Sequence, residues 1–189
     1  MYTFGSTNPS TWHSSYRNDM KRVGKISNAK AKILADTTSL LDAVQRLTAT
    51  PIKSVEAGVL LLNELRSASY EKLNVIQHEF MILRAAEWLL AQGRCSVGTL
   101  WSWHPQQTGS RDEPDLRGEY RGAIIVSAEI TTSAEPKGVI DSRMAETLEK
   151  LSRMAGQKFY FTVSSVMCQR ARTKVRKKGW EIEVVDLAT

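Results

Sequence analysis

Pro114-Asp115-Leu116-Arg117-Gly118-Glu119-Tyr120-Arg121-Gly122-Ala123-Ile124-Ile125-Val126-Ser127-Ala128-Glu129-Ile130-Thr131-Thr132 reads as two strands joined by a tight turn at Tyr120-Arg121-Gly122. Asp115 lies at the start of the first strand and Glu129 near the end of the second. Antiparallel pairing therefore brings the two carboxylates together at the open end of the hairpin. Two converging acids suit a hard divalent cation, which takes oxygen ligands. A metal-dependent phosphodiester site is the expectation. The run from Ala123 to Val126 is continuously apolar, as in a central strand covered on both faces.

Upstream of the hairpin, Val97, Thr99, Trp101 and Trp103 alternate with Gly98, Leu100 and Ser102, which predicts a strand. Residues 104–113 form a polar loop. Downstream, a loop with Glu135, Pro136 and Lys137 leads to a helix over 139–154, a strand over 158–164, a helix over 165–178 stopped by Gly179, and a last strand over 180–187. With a helix over 69–92, the order is helix, three strands, helix, strand, helix, strand. This predicts an α/β fold, a mixed sheet flanked by helices on both faces.

The chain before residue 69 reads as an extension. Residues 1–20 form an arm that Tyr2, Phe4, Trp12 and Tyr16 either dock on the core or leave as a flexible tail. Ile33, Leu34, Leu40, Leu41, Val44 and Leu47 recur at helical spacing over 27–47, where Thr37-Thr38-Ser39 either starts a new helix or weakens a long one. Thr50-Pro51 ends the run. Ser54 caps a second helix lined by Val55, Val59, Leu62 and Leu65. The expected division is an arm and helical extension over 1–68 and a core over 69–189.

One residue breaks the pattern of the helix over 69–92. Glu79 has Val75, Ile76, Ile82 and Leu83 as its helical neighbours, so a carboxylate sits in an apolar stripe. It must be paired, protonated, metal-bound or placed at the rim of the core. His104, in the loop beside the acids, is either a proton-transfer group or a plain loop histidine.

The 189 residues, 42% hydrophobic and 24% charged, supply a core that needs no staples. Cys95 and Cys168 are far apart and lack metal-ligand spacing, which suggests buried thiols in a reduced cytoplasmic setting. No apolar run reaches transmembrane length, so no membrane partner is expected, and the first residues lack a secretory pattern. No phosphate-binding glycine loop, zinc spacing or Ser-His-Asp order stands out. The net charge of +6 is compatible with a polyanionic partner without demanding one. Its densest part is the helix over 165–178, where Arg170, Arg172, Lys174, Arg176 and Lys177 occur without an acid. Such a row can contact phosphates; it also suits a solvated helix face and its C-terminal dipole.

The element order and the acids together resemble the PD-(D/E)XK nuclease superfamily, the restriction-endonuclease-like fold, over residues 70–187. Pro114-Asp115 stands for the first half of that motif and Glu129-Ile130-Thr131 for the second. The resemblance implies a Mg²⁺-dependent endonuclease, with Mn²⁺ as substitute, acting on double-stranded DNA. It implies metal ligation by Asp115, Glu129 and the Ile130 carbonyl, with Glu79 as the extra ligand from the first core helix. It also implies a homodimer, with residues 21–68 contacting DNA or mediating dimerisation. A restriction or mobile-element enzyme is the kind of protein implied. The motif lysine falls at Thr131, which carries no charge. Lys137 replaces it from the following loop, or Thr131 positions water through its hydroxyl, or the site is catalytically inactive. In that last case the chain is a nuclease-fold subunit that binds nucleic acid or assembles with a protein partner.

Overall fold

In the computed structural model the elements follow as β1 (Lys21–Gly24), α1 (Ile26–Thr48), α2 (Val55–Ala91), β2 (Leu100–Trp103), β3 (Leu116–Tyr120), β4 (Ala123–Ile130), α3 (Val139–Ser152), β5 (Gln157–Thr162), α4 (Ser165–Lys178) and β6 (Glu183–Asp186). The structure describes residues 20–104 and 113–188; the arm with Tyr2, Phe4, Trp12 and Tyr16, and loop residues 105–112, lie outside the described residues. From α2 onward the order of elements is the expected one.

The six strands form one mixed open sheet in the order β1-β2-β3-β4-β5-β6. β1 to β4 pair antiparallel, and β4, β5 and β6 pair parallel. The β3–β4 turn is made by Arg121 and Gly122, both at positive φ (52° and 80°). That conformation suits a two-residue turn whose twist matches the strands it joins. Parallel pairing needs crossovers, and α3 and α4 supply them. At the start of β4, Gly156 lies so close that a Cβ on it would meet the Ile125 carbonyl oxygen at 2.7 Å. Only glycine lets that loop return beside the strand.

Strand alternation divides the core in two. Phe159 and Phe161 of β5 join Trp101, Trp103, Val126 and Ala128 in a cluster with Ala85, Ala86 and Leu89 of α2. Tyr160 and Val184 face the other way, against Met144 and Leu148 of α3 and Met167 and Ala171 of α4. Three layers result, with α1 and α2 on one face of the sheet and α3 and α4 on the other. Cys95 and Cys168 are buried free thiols. No helix among the described residues is long and apolar enough to cross a membrane.

Three local expectations change. The separate helices over 54–65 and 69–92 are one 37-residue helix, α2, which runs through the 68/69 division. Ser69, where the later helix was expected to begin, lies inside the continuous helix and donates its hydroxyl proton to the Leu65 carbonyl. α1 is likewise continuous, with the Thr37 and Thr38 hydroxyls bonded to the Ile33 and Leu34 carbonyls. β1, too short and polar to read in the sequence, adds an edge strand on β2.

Candidate active site

Register places the two acids. Leu116 stands opposite Ala128 across the hairpin, so the next positions outward are Asp115 and Glu129. Ala128 and Ile130 belong to the core on the α2 side. Alternation therefore turns Glu129 to the face that α3 covers. Asp115 stands one residue before β3, where its backbone carbonyl accepts the His104 N–H at 2.9 Å. Its Oδ2 accepts the Ile130 N–H at 2.8 Å, which fixes the carboxylate at the end of β4.

Two helices complete the cluster. From α2, His78 brings Nε2 to 3.5 Å from Asp115 Oδ2. From α3, Lys150 brings Nζ to 2.5 Å from Glu129 Oε1. Lys150 also donates to the Glu113 carbonyl at 3.1 Å. Burial pushes the Glu129 carboxyl well above the usual range, and the neighbouring Asp115 carboxylate pushes it further, against the pull of Lys150. Tyr160, in register with Glu129 on β5, is raised for related reasons. Burial is the largest cause, Thr131 opposes it through a hydrogen bond, and Glu129 and Asp115 add to it. His78, Asp115, Glu129, Thr131 and Tyr160 line a cavity of about 230 Å³, together with Arg143 and Thr147 of α3. A second cavity of about 540 Å³ is lined by Pro114, Arg117, Lys150 and Arg153, so Lys150 belongs to this cavity and reaches the first through its ion pair with Glu129.

The structure thus brings Asp115, Glu129, Ile130 and Thr131 together and leaves other nominated residues outside. Glu79 is fully buried, and its two oxygens accept from Lys32 Nζ at 2.6 and 2.7 Å. It is absent from the lining of the acid cavity, and pairing is what relieves its burial. The same ammonium contacts Asp36 at 2.6 Å. Burial works against the charge on Lys32, but Asp36 and Glu79 outweigh it and raise its pKa. Lys137 is exposed in an ion pair with Glu135, away from the cavity. His104 is buried and meets Asp115 through its backbone, outside the cavity lining.

The basic helix is also divided. Arg170 makes a two-pronged contact with Asp141 at 2.8 and 2.9 Å, and Lys174 reaches the same carboxylate at 3.1 Å. Hydrogen bonds from Arg170 and Lys174 hold Asp141 far below the usual carboxylate range. Arg172 donates to the Val184 carbonyl at 3.1 Å. Three of the five nominated cations thereby pin α4 to its neighbours. Arg176 and Lys177 are exposed in the last turn.

Lys150 and His78 were missed as site residues. Lys150 follows Arg143 and Thr147 at steps of four and three, the spacing that sets all three on one face of α3. That spacing is the signal that could have found it. His78 was passed over for its neighbour Glu79.

Among the described residues no group of three or more His, Cys, Asp or Glu side chains is placed to hold a metal ion. Comparisons with family models, curated proteins and solved structures found no match to this chain.

Proposed function

We propose that the chain is a metal-dependent DNA endonuclease with a restriction-endonuclease-like core, acting through Asp115, Glu129 and Lys150. The observation that carries this reading is that two carboxylates line one cavity and an ammonium from α3 meets one of them, Lys150 against Glu129. They meet at the end of β4, where pairing changes from antiparallel with β3 to parallel with β5.

The donor set fits a hydrated Mg²⁺ or Mn²⁺. Mg²⁺ keeps several waters and takes one or two carboxylates from a protein. Asp115 and Glu129 would hold it, with the Ile130 carbonyl as the third oxygen that the resemblance implies. A bound ion supplies Lewis-acid polarisation of a phosphoryl oxygen and a water of lowered pKa. A cation beside Glu129 would also relieve the repulsion that now favours its protonated form.

The protein's own groups do the rest. Lys150 provides, from α3, the positive charge that Thr131 lacks, and it offsets charge developing at the phosphate. The Thr131 and Tyr160 hydroxyls orient the attacking water. His78 and the Ile130 N–H hold Asp115 in position. Arg143, at the mouth of the cavity, contacts a substrate phosphate, and Arg176 and Lys177 extend that contact along the duplex.

A second reading has its own observation. Lys150 at 2.5 Å can neutralise Glu129 without any metal. A nuclease-fold subunit that binds nucleic acid or assembles with a protein, without cleaving, fits that arrangement. Incubation with plasmid and linear DNA in Mg²⁺ or Mn²⁺ separates the two. The endonuclease reading expects cleavage that Asp115→Ala and Glu129→Ala each abolish and Lys150→Ala strongly lowers. Cleavage that survives the first two substitutions overturns the site, and binding without cleavage favours the subunit.

A further inference from the structure

We infer that the second cavity, around Arg117, is a binding site for a small organic phosphate of the nucleoside monophosphate kind. The site needs neither a bound metal nor cleavage, and so stands apart from the nuclease reading. Its volume is about 540 Å³, within the roughly 300–1,000 Å³ of small-molecule sites. α3 packs on β4 and β5, and the hairpin face beside the helix makes the floor, where Arg117 of β3 stands opposite Ser127 of β4. Hydrogen bonds tie floor to wall. The Ser127 hydroxyl donates to the Ala155 carbonyl at 2.9 Å, and Lys150 donates to the Glu113 carbonyl at 3.1 Å. A cavity held in this way is largely formed before its ligand arrives.

Arg117, Lys150 and Arg153 bring positive charge to the lining. Two of the three are already matched. Arg153 pairs with Glu149 one turn earlier on α3, and Lys150 pairs with Glu129. Arg117 is half-buried, and its Nε is enclosed without a hydrogen-bond partner. Buried donors are nearly always satisfied, and a charged one left alone is costly. The terminal nitrogens of its fork are the donors that a ligand reaches, and a guanidinium fork matches two phosphate oxygens at once.

The other lining groups select the ligand. Pro114, Ile124 and Met154 offer an apolar wall to a ring. Bare phosphate leaves that wall unused. Glu146 and Glu149 share one face of α3 with Lys150 and Arg153. Their carboxylates repel a polyanionic strand. They also accept hydrogen bonds from hydroxyl and amino groups, which a nucleoside carries. One phosphate on a neutral, hydroxyl-bearing body gives Arg117 its anion and sets no further charge against the two acids.

Isothermal titration calorimetry of the full-length chain with AMP, in EDTA and without divalent metal, is the test. The expected result is saturable binding at one site per chain, with inorganic phosphate and adenosine each weaker by about ten-fold or more. Arg117→Met lowers the AMP affinity by about ten-fold or more, the scale of a charge-assisted hydrogen bond, with unchanged far-UV circular dichroism. Arg153→Ala, on an exposed side chain whose loss spares the core, also weakens binding, because it turns Glu149 loose against the phosphate. Arg46→Ala, which removes the same charge from the exposed surface of α1, leaves the affinity unchanged. A wild-type chain that does not bind AMP overturns the proposal. So does AMP affinity that Arg117→Met or Arg153→Ala leaves at the wild-type value, or inorganic phosphate that binds as tightly as AMP. Displacement of AMP by a DNA duplex without terminal phosphates overturns it as well, and assigns the cavity to a nucleic-acid backbone. With no metal in the buffer, each of these outcomes is separate from the fate of the acid pair as a cation site.

Discussion

Replacing Lys32 with methionine isolates the structural role assigned to Glu79. The substitution keeps most of the side-chain volume and removes the ammonium that touches both Glu79 oxygens. Glu79 is fully buried, whereas the Lys32 side chain is 36% exposed. Breaking a fully buried ion pair from one side costs about 3–5 kcal/mol, and the water that already reaches Lys32 lowers this to about 2–3 kcal/mol. For a domain of this length each kcal/mol moves Tm by about 2–4 °C, so the loss is about 5–10 °C. Thermal unfolding followed by far-UV circular dichroism reads it. Adding Glu79→Leu to Lys32→Met is expected to recover most of the loss, because an apolar pair replaces a stranded charge. A Lys32→Met variant that melts with the wild type would refute the reasoning. So would a double variant less stable than Lys32→Met alone.

Other outcomes follow from the same geometry. Glu129 has a raised folded-state pKa, so its contribution to stability is fully present below the unfolded value and is lost as pH rises through the folded one. Glu129→Gln should therefore melt above the wild type at neutral pH and converge with it near pH 4, as read by melting curves across pH; a gap that widens in acid contradicts the assignment. Lys150→Ala should lower single-turnover cleavage by about 10²-fold or more, the scale of losing an electrostatic stabiliser, while Lys137→Ala stays near wild type; the reverse order would return the lysine role to the loop. Arg176→Ala with Lys177→Ala should flatten the salt dependence of duplex binding by about 0.9 in log–log slope for each phosphate these side chains neutralise. Arg170→Ala should leave that slope nearly unchanged because Asp141 already occupies its charge.

The convergence of the acid pair was legible because the hairpin that brings it together is local. A two-residue turn starts the register of β3 on β4, and the sequence shows from it that the two acids meet at the open end. A bulge that skips Ile125 then shifts the register by one residue and sets Asp115 level with Glu129, which the sequence does not show. What helices bring to the pair was not legible. His78 and Glu79 are adjacent in sequence, yet one turns to Asp115 and the other to Lys32. A single residue is about 100° of helix rotation, and only the packing of α2 between α1 and the sheet decides it. Glu79 stands out in the sequence as an anomaly, but its partner lies 47 residues away on another helix. Lys137 was favoured for nearness along the chain; Lys150 is nearer in space because α3 folds back across the end of β4. The row of cations on α4 looked unopposed for the same reason, since Asp141 belongs to α3. The two expected helices are joined in one, α2, where Ser69 bonds the Leu65 carbonyl of its own helix.

The most direct measurement is Mn²⁺ binding to the free protein, followed by loss of the free-ion paramagnetic signal as chain is added. The account predicts binding by the wild-type chain that is abolished by Asp115→Asn and by Glu129→Gln, and kept by Glu79→Gln. It also predicts that binding weakens as pH falls and the Glu129 carboxyl holds its proton. Wild-type protein that leaves the Mn²⁺ signal unchanged, or binding that persists in both acid-pair variants, contradicts the claim that Asp115 and Glu129 form a cation site.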